Sequence, residues 1–493
     1  MTKQTKGQLL DMVSLDREGD VPLYRQLDRQ LRRAVLSGHL PPGSRLPSTR
    51  QLARELGISR ITVQNTYEQL AAEGFLEAVT GAGTFVAEIP PEDLPPPAPD
   101  LDRAGHPRGA RLSERGRRIS ETWATTRIGM TRPFRPGVPA ADLFPMRAWS
   151  ALWSKALNRM GRELFGYGPP GGHAPLRNAI AAHLRDARGV SCEPDQVIVT
   201  AGAQQSFALT ALALLDSGDL AWGEDPGHAA GRDVLTALGV TVASVPINAE
   251  GLDLATARRE HPVPRLIFVT PSHQHPLGVT MSLRRRLELL QFAQRAGAWV
   301  LEDDYDSEFR YAGRPLPALQ GLDTAGTVIY AGSFSKVLYP SLRLGYVVAP
   351  PDLIEPFRSA QTVLSHGTPY LPQVVLAEFM REGRFAAHIR RMRTAYAERQ
   401  SLLVACLRRE AAGLLDVEPT DAGMHLMAWL PDGMDDMAAS QALWDAGIEA
   451  IPLSIYCVRP YPRNGLLLGF TGVPPDRIAP SVSKLVETLA NAR

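Results

Sequence analysis

Cysteine is scarce in this chain. Cys192, Cys406 and Cys457 are spread over 493 residues, too far apart for any metal-ligand spacing. They read as reduced, mostly buried thiols rather than a disulfide framework. No run of about 18 uninterrupted apolar residues occurs, so there is no candidate membrane span. The opening Met1-Thr2-Lys3-Gln4-Thr5-Lys6 leads into no apolar stretch, so no signal peptide is expected and the protein is expected to be cytoplasmic. Net charge is equally sparse, 53 Lys and Arg against 52 Asp and Glu, which argues against polyanion binding through bulk charge. No tandem repeat and no metal site are expected.

That balance hides an asymmetry. From Pro22 to Gln64 there are eight Lys and Arg against two Asp and Glu, a local excess suited to phosphate contacts. Apolar residues at Leu27, Leu31, Val35 and Leu36 give one helix a single greasy face, ended by Pro41-Pro42-Gly43. Ser48 caps a short helix over 49–56, Gly57 forces a turn, and Ser59 caps a third helix bearing Arg60, Thr62, Gln64 and Asn65 on its first turns. Those turns are where base-reading side chains of a recognition helix belong. Beyond Gly74, alternating β character surrounds Gly81-Ala82-Gly83, a hairpin of wing type.

Three zones follow: a DNA-reading module over 1–90, a linker over 91–131 and a large domain over 132–493. The linker holds Pro95-Pro96-Pro97-Ala98-Pro99, seven Arg and few large hydrophobes, a composition unable to bury a core. Its length of about 40 residues spans roughly 35 Å as a coil. The large domain alternates apolar strands, such as 197–200, 266–269 and 299–301, with amphipathic helices, the pattern of an open, mostly parallel sheet whose ligands gather at the carboxyl ends of its strands.

The most informative segment is Ala331-Gly332-Ser333-Phe334-Ser335-Lys336-Val337-Leu338-Tyr339-Pro340-Ser341-Leu342-Arg343. A lysine among hydroxyls, with an arginine seven residues on, suits an aldehyde cofactor carrying a phosphate: the amine forms a Schiff base while Ser333, Ser335 and Arg343 hold the phosphate. Thr200-Ala201-Gly202-Ala203-Gln204-Gln205 opens a helix with exposed N–H groups, a phosphate cradle. Glu302-Asp303-Asp304-Tyr305 offers a carboxylate for a protonated pyridine nitrogen and a phenol for the ring oxygen. Ser272-His273-Gln274-His275-Pro276 and Glu224-Asp225-Pro226-Gly227-His228 place imidazoles nearby.

The N-terminal pattern, from Pro22-Leu23-Tyr24 through Pro42-Gly43-Ser44-Arg45-Leu46-Pro47-Ser48 to Gly81-Ala82-Gly83-Thr84-Phe85-Val86, resembles the winged helix-turn-helix of GntR regulators. The resemblance implies DNA contacts by Arg50, Ser59, Arg60, Thr62 and Gln64, with Gly81 at the wing tip. Residues 132–493 resemble a fold-type I pyridoxal 5'-phosphate enzyme of the class I aminotransferase kind, an α/β domain with a mostly parallel sheet covered by helices. By that resemblance Lys336 is the Schiff-base lysine, Asp303 the pyridine partner and Tyr305 the ring-oxygen donor, while Gly202, Ala203, Gln204, Ser333 and Arg343 bind phosphate. Tyr167 would reach the partner subunit's phosphate, which implies a homodimer. Two positions depart from the aminotransferase pattern: His275 replaces the usual Asn, and His228, which stacks less strongly and can carry a proton, replaces the aromatic ring. Arg463 matches a carboxylate-binding arginine with its spacing one residue off.

The two halves together resemble the MocR regulators, which implies a dimeric, pyridoxal-phosphate-dependent transcription factor. Its enzyme-like domain would sense a small amine or amino acid through an external aldimine that frees Lys336. An effector with a terminal acid, taurine foremost, would suit Arg463; γ-aminobutyrate and ectoine derivatives are alternatives. Three further readings stay open: an active aminotransferase with a DNA-binding head, a sensor of pyridoxal phosphate controlling vitamin B6 synthesis, and a DNA-binding module with a merely dimerising scaffold. The direction of regulation, activation or repression, is left open.

Overall fold

A computed structural model describes residues 13–17, 19–88, 112–120, 132–162, 166–311 and 316–491. Two compact units result, Met1–Arg111 and Leu112–Arg493.

In the first unit, α1 (Leu23–Leu36), α2 (Thr49–Leu56) and α3 (Arg60–Ala72) precede the hairpin β1 (Leu76–Val79) and β2 (Gly83–Val86). Ser48 and Ser59 cap α2 and α3 by accepting from the Gln51 and Thr62 N–H groups, at 3.2 and 3.0 Å. Gly57 ends α2 at φ 62°, a left-handed conformation that favours glycine. Leu27, Leu31, Leu52, Val63 and Leu70 are fully buried and join the three helices. The Tyr67 hydroxyl donates to the Pro47 carbonyl at 3.0 Å and ties α3 to the segment before α2.

Most of the expected 91–131 linker lies outside the described residues. Its described part contains a helix, α4 (Glu114–Ser120), belonging to the second unit. The large unit continues with α5 (Met146–Met160), α6 (Ala174–Arg188), β3 (Val197–Thr200), α7 (Ala203–Leu214), β4 (Leu220–Asp225), α8 (Ala229–Ala237), β5 (Thr241–Asn248), β6 (Gly251–Leu252), α9 (Leu254–Glu260), β7 (Leu266–Val269), α10 (Leu283–Ala296), β8 (Trp299–Asp304), β9 (Val328–Ser333) and β10 (Gly345–Val348). Helices α11 (Ile354–Ser365), α12 (Tyr370–Arg381) and α13 (Arg384–Glu410) lead to β11 (Asp416–Val417), β12 (His425–Trp429), α14 (Asp436–Asp445), β13 (Ile451–Pro452), β14 (Gly465–Gly469) and α15 (Pro475–Asn491).

The main sheet runs β3-β10-β9-β8-β7-β4-β5-β6. Its centre, β9-β8-β7-β4-β5, is parallel; β10 and β6 are antiparallel to their neighbours. Strands β3, β7 and β10 are buried at every position, as a sheet covered on both faces requires. A second, antiparallel sheet runs β11-β12-β14-β13. Helix α4 lies against α8, whose first turn borders the site described next. No helix among the described residues is long and apolar enough to cross a membrane.

Candidate cofactor and effector site

Strands β3, β4, β7, β8 and β9 end around a cavity of about 570 Å³. The position of each polar group follows from its strand. In β8 successive side chains alternate faces, so of three consecutive acids only Asp303 lines the cavity. Glu302 accepts from the Leu319 and Gln320 N–H groups at 2.8 Å each. Asp304 accepts from Arg188 Nε at 2.9 Å and the Tyr330 hydroxyl at 2.6 Å. Asp303 Oδ1 is buried and makes no hydrogen bond, while Oδ2 lies 3.3 Å from His228 Nδ1. Burial, reinforced by repulsion from Asp304 and Asp306, pushes its pKa up to about 7. Such a carboxyl gains from a cationic partner.

Lys336, on the turn after β9, points its Nζ at the Gly137 carbonyl, 3.2 Å away. Burial lowers its pKa, partly offset by Asp306 and Asp303. Ser333 Oγ accepts from the Ser335 N–H at 3.2 Å, and Ser335 Oγ is buried without a partner. Gly202 precedes α7 at φ 110°, and a Cβ there would meet only Arg343 Nη1, at 4.0 Å. An open cradle therefore lies between Arg343 and the N-terminus of α7, whose first residues, Ala203 and Gln204, line the cavity.

Tyr305 Oη and Asp306 Oδ2 both lie 3.0 Å from His273 Nδ1. The imidazole N–H goes to the carboxylate, the stronger acceptor, which leaves the Tyr305 hydroxyl proton for the cavity. Burial raises the Tyr305 pKa well above its usual value, so the phenol stays protonated. His228, which caps α8, is pushed down to about 4 by burial and by Lys336. His275 is also held well below its usual value, by burial and the neighbouring His425 and His228, and packs edge-on against Tyr456 with ring centres 4.9 Å apart.

Five expected residues are not part of the cavity lining, Gly202, Ser335, Arg343, Tyr167 and Arg463, of which Gly202 stands at the cradle just described and Ser335 is the neighbour of Lys336. Tyr167 is 90% exposed, outside this chain's cavity, with its ring near His366. Arg343 contributes at the cradle rather than to the cavity lining. Arg463 does not reach the cavity: its Nη1 pairs with Asp416 Oδ2 at 2.9 Å, its Nε faces the Leu430 carbonyl, and it lies over the Trp429 ring. It precedes β14 on a surface loop, so the effector-binding role expected of it is withdrawn.

The residues missed from sequence come from distant segments. Arg135 and Gly137 enter from the segment just after the linker, and Arg232, Glu449 and Tyr456 complete the wall. A Cβ at Gly137, where φ is 71°, would collide with Lys336 Nζ. Neither that φ nor the nearness of Lys336 is visible in the sequence, so no signal there marked these residues.

In the small unit Arg50, Ser59, Arg60, Gln64 and Gly81 are exposed and Thr62 is half-buried. Ser59 Oγ also contacts Thr62 Oγ1 at 2.9 Å, and Gln64 donates to Glu68 at 2.9 Å. Ile61, 70% exposed between Arg60 and Thr62, is an apolar side chain of the kind that meets thymine methyl groups.

Residues 145–465 match the class I and II aminotransferase family, and residues 23–86 match the gntR family of bacterial regulatory proteins. The large unit is similar to the α-aminoadipate aminotransferase LysN of Thermus thermophilus, with TM-score 0.71 and 27% identity over 77% of this chain and 97% of that one. Fold and site thus define a winged-helix regulator carrying an aminotransferase-like domain, whose family implies pyridoxal phosphate as cofactor. The chain is 43% identical over 474 residues to the probable rhizopine catabolism regulatory protein MocR of Rhizobium meliloti, covering 96% of this chain and 95% of that one. It is 32% identical to the pyridoxine biosynthesis transcriptional regulator PdxR of Corynebacterium glutamicum, over 93% of this chain and 94% of that one. The chain belongs to the MocR-type transcriptional regulators of the GntR family.

Proposed function

We propose that this regulator binds pyridoxal phosphate in the large domain, senses a small amine there, and converts the event into altered promoter binding. The donor set fits the cofactor. Lys336 supplies the amine, the unpaired Asp303 Oδ1 a partner for a pyridinium, the Tyr305 hydroxyl a donor to the ring oxygen, and the cradle of Gly202, Ala203 and Arg343 a phosphate site. When bound, pyridoxal phosphate supplies an aldehyde for which Lys336 and a free amine compete.

The observation that carries the sensing role is the Lys336–Gly137 hydrogen bond. Gly137 belongs to a segment that starts where the linker ends. Its anchors are specific: the Glu449 and Gly469 N–H groups donate to the Pro133 and Phe134 carbonyls at 3.0 and 2.7 Å. The Arg132 guanidinium lies 3.6 Å over the Trp444 ring. A lysine amine not engaged by the cofactor has the Gly137 carbonyl as its partner, so its state is felt at the root of the linker. The protein would act as a homodimer in the cytoplasm, with Tyr167 of each subunit serving the other's site, and Arg50, Ser59, Arg60, Thr62, Gln64 and Gly81 would hold operator DNA.

The test is the cofactor absorption spectrum of the purified protein during titration with amines. A lasting shift without product supports sensing. Steady accumulation of a keto or aldehyde product over many turnovers makes the protein an aminotransferase that also binds DNA. The similarity to PdxR favours a second reading, in which pyridoxal phosphate is itself the signal. Apo and holo proteins would then differ in operator affinity with no amine present.

A further inference from the structure

Behind Tyr305 stand two buried residues that do not line the cavity, His273 in the segment after β7 and Asp306 just past β8. They are 4% and 1% exposed. His273 Nδ1 lies 3.1 and 3.0 Å from the two carboxylate oxygens of Asp306 and 3.0 Å from the Tyr305 hydroxyl. The other ring nitrogen, Nε2, is buried without a hydrogen-bond partner among the described residues. Two glycines close around the ring: a Cβ at Gly423 would collide with its Cε1, and one at Gly278 would stand 3.1 Å from Nε2. The imidazole therefore has one good place for its proton. On Nδ1 the proton meets a carboxylate; on Nε2 it would be a buried donor with no acceptor, and Nδ1 would turn a lone pair toward Asp306. Asp303, Glu224, Tyr456, His275, His425 and Lys336 also surround these three residues. After burial, Asp306 is the strongest influence keeping the Tyr305 phenol protonated.

We infer that His273 is a positioning residue: its Nδ1–H satisfies Asp306, so that the Tyr305 proton stays turned toward the ring oxygen of bound pyridoxal phosphate. The inference rests on the reading that the large domain binds this cofactor, and concerns how the site is tuned. A buried carboxylate needs a donor. With His273 in place it has one, and the phenol is left free for the cavity. Without that N–H, the nearest hydroxyl is the Tyr305 phenol, and the carboxylate draws its proton away from the cofactor. A phenol that donates to the ring oxygen favours the anionic form of that oxygen. It thereby lowers the pH at which the bound cofactor takes up a proton, and losing the donation raises that pH.

The experiment compares full-length wild type, His273→Phe and His273→Asn, each loaded with pyridoxal phosphate, by the pH midpoint of the cofactor's absorption band. Phe fills the space of the ring but has no N–H; Asn leaves a void but keeps a donor at the Nδ1 position. His273→Phe is expected to raise the midpoint by about one pH unit, the worth of one hydrogen bond to a charged group. His273→Asn is expected to stay close to wild type. A role in packing alone predicts the reverse order, with Asn the more disruptive change. A midpoint unmoved by Phe, or moved as far by Asn, overturns the inference. A second measurement needs neither variant to fold well: nitrogen NMR of cofactor-free wild type labelled with 15N-histidine. The His273 proton is expected on Nδ1, and a proton on Nε2 overturns the inference by itself. If the wild type takes up no pyridoxal phosphate, the cofactor reading fails and this inference with it, an outcome seen before any variant is compared.

Discussion

At the residue scale, Asp303 and Gly137 give the sharpest expectations. Asp303 is a carboxyl whose folded-state pKa is raised to about 7, so its contribution to cofactor-free stability is present at low pH and is lost as pH rises towards 7. Asp303→Asn removes that penalty. In thermal melts of the cofactor-free protein, the variant is expected to gain on wild type progressively from pH 4 to pH 7 and to hold a constant advantage above that. Pyridoxal-phosphate affinity moves the other way, weakening more than tenfold with the loss of the pyridinium partner. Gly137→Ala would place a Cβ against Lys336 Nζ at φ 71°. Loss of the amine response, read as operator affinity with and without ligand, is expected while the isolated winged-helix contacts stay intact. An unimpaired response would remove Gly137 from the path between site and linker.

At the scale of elements, the grouping of these residues at the strand ends was legible because each follows its own strand in a short local pattern: Gly202 after β3, His228 after β4, Asp303 and Tyr305 at the end of β8, Lys336 after β9. Alternation along β8 also selects Asp303 from three consecutive acids. The rest of the cavity lining was not legible. Arg135, Arg232 and Glu449 meet through tertiary folding, and nothing local to any of them marks a site. Arg463 shows the opposite failure, a residue near the right spacing whose loop turns it toward Asp416 and Trp429. The linker also held more than composition announced, since α4 forms within it and packs on α8. In the reading head the signals were local: both serine caps make their hydrogen bonds. Ser59→Ala is expected to cost about 1 kcal/mol of stability in the small unit through loss of the cap, measured by denaturant unfolding. Arg60→Ala is expected to weaken operator binding and to lower the slope of its salt dependence by roughly one if the contact is to phosphate. A base contact would instead relax sequence preference.

At the scale of the whole molecule, an aminotransferase-like domain and a winged helix share one chain. In the function proposed above, the state of Lys336 would reach the DNA-reading half through the segment that begins at Arg132, whose Gly137 carbonyl accepts from Lys336. The most direct test of this account is operator affinity measured with and without the amine ligand, for wild type and for Lys336→Ala. The expected result is an affinity change in the wild type and none in the variant. A Lys336→Ala protein that answers the amine as the wild type does would contradict the account.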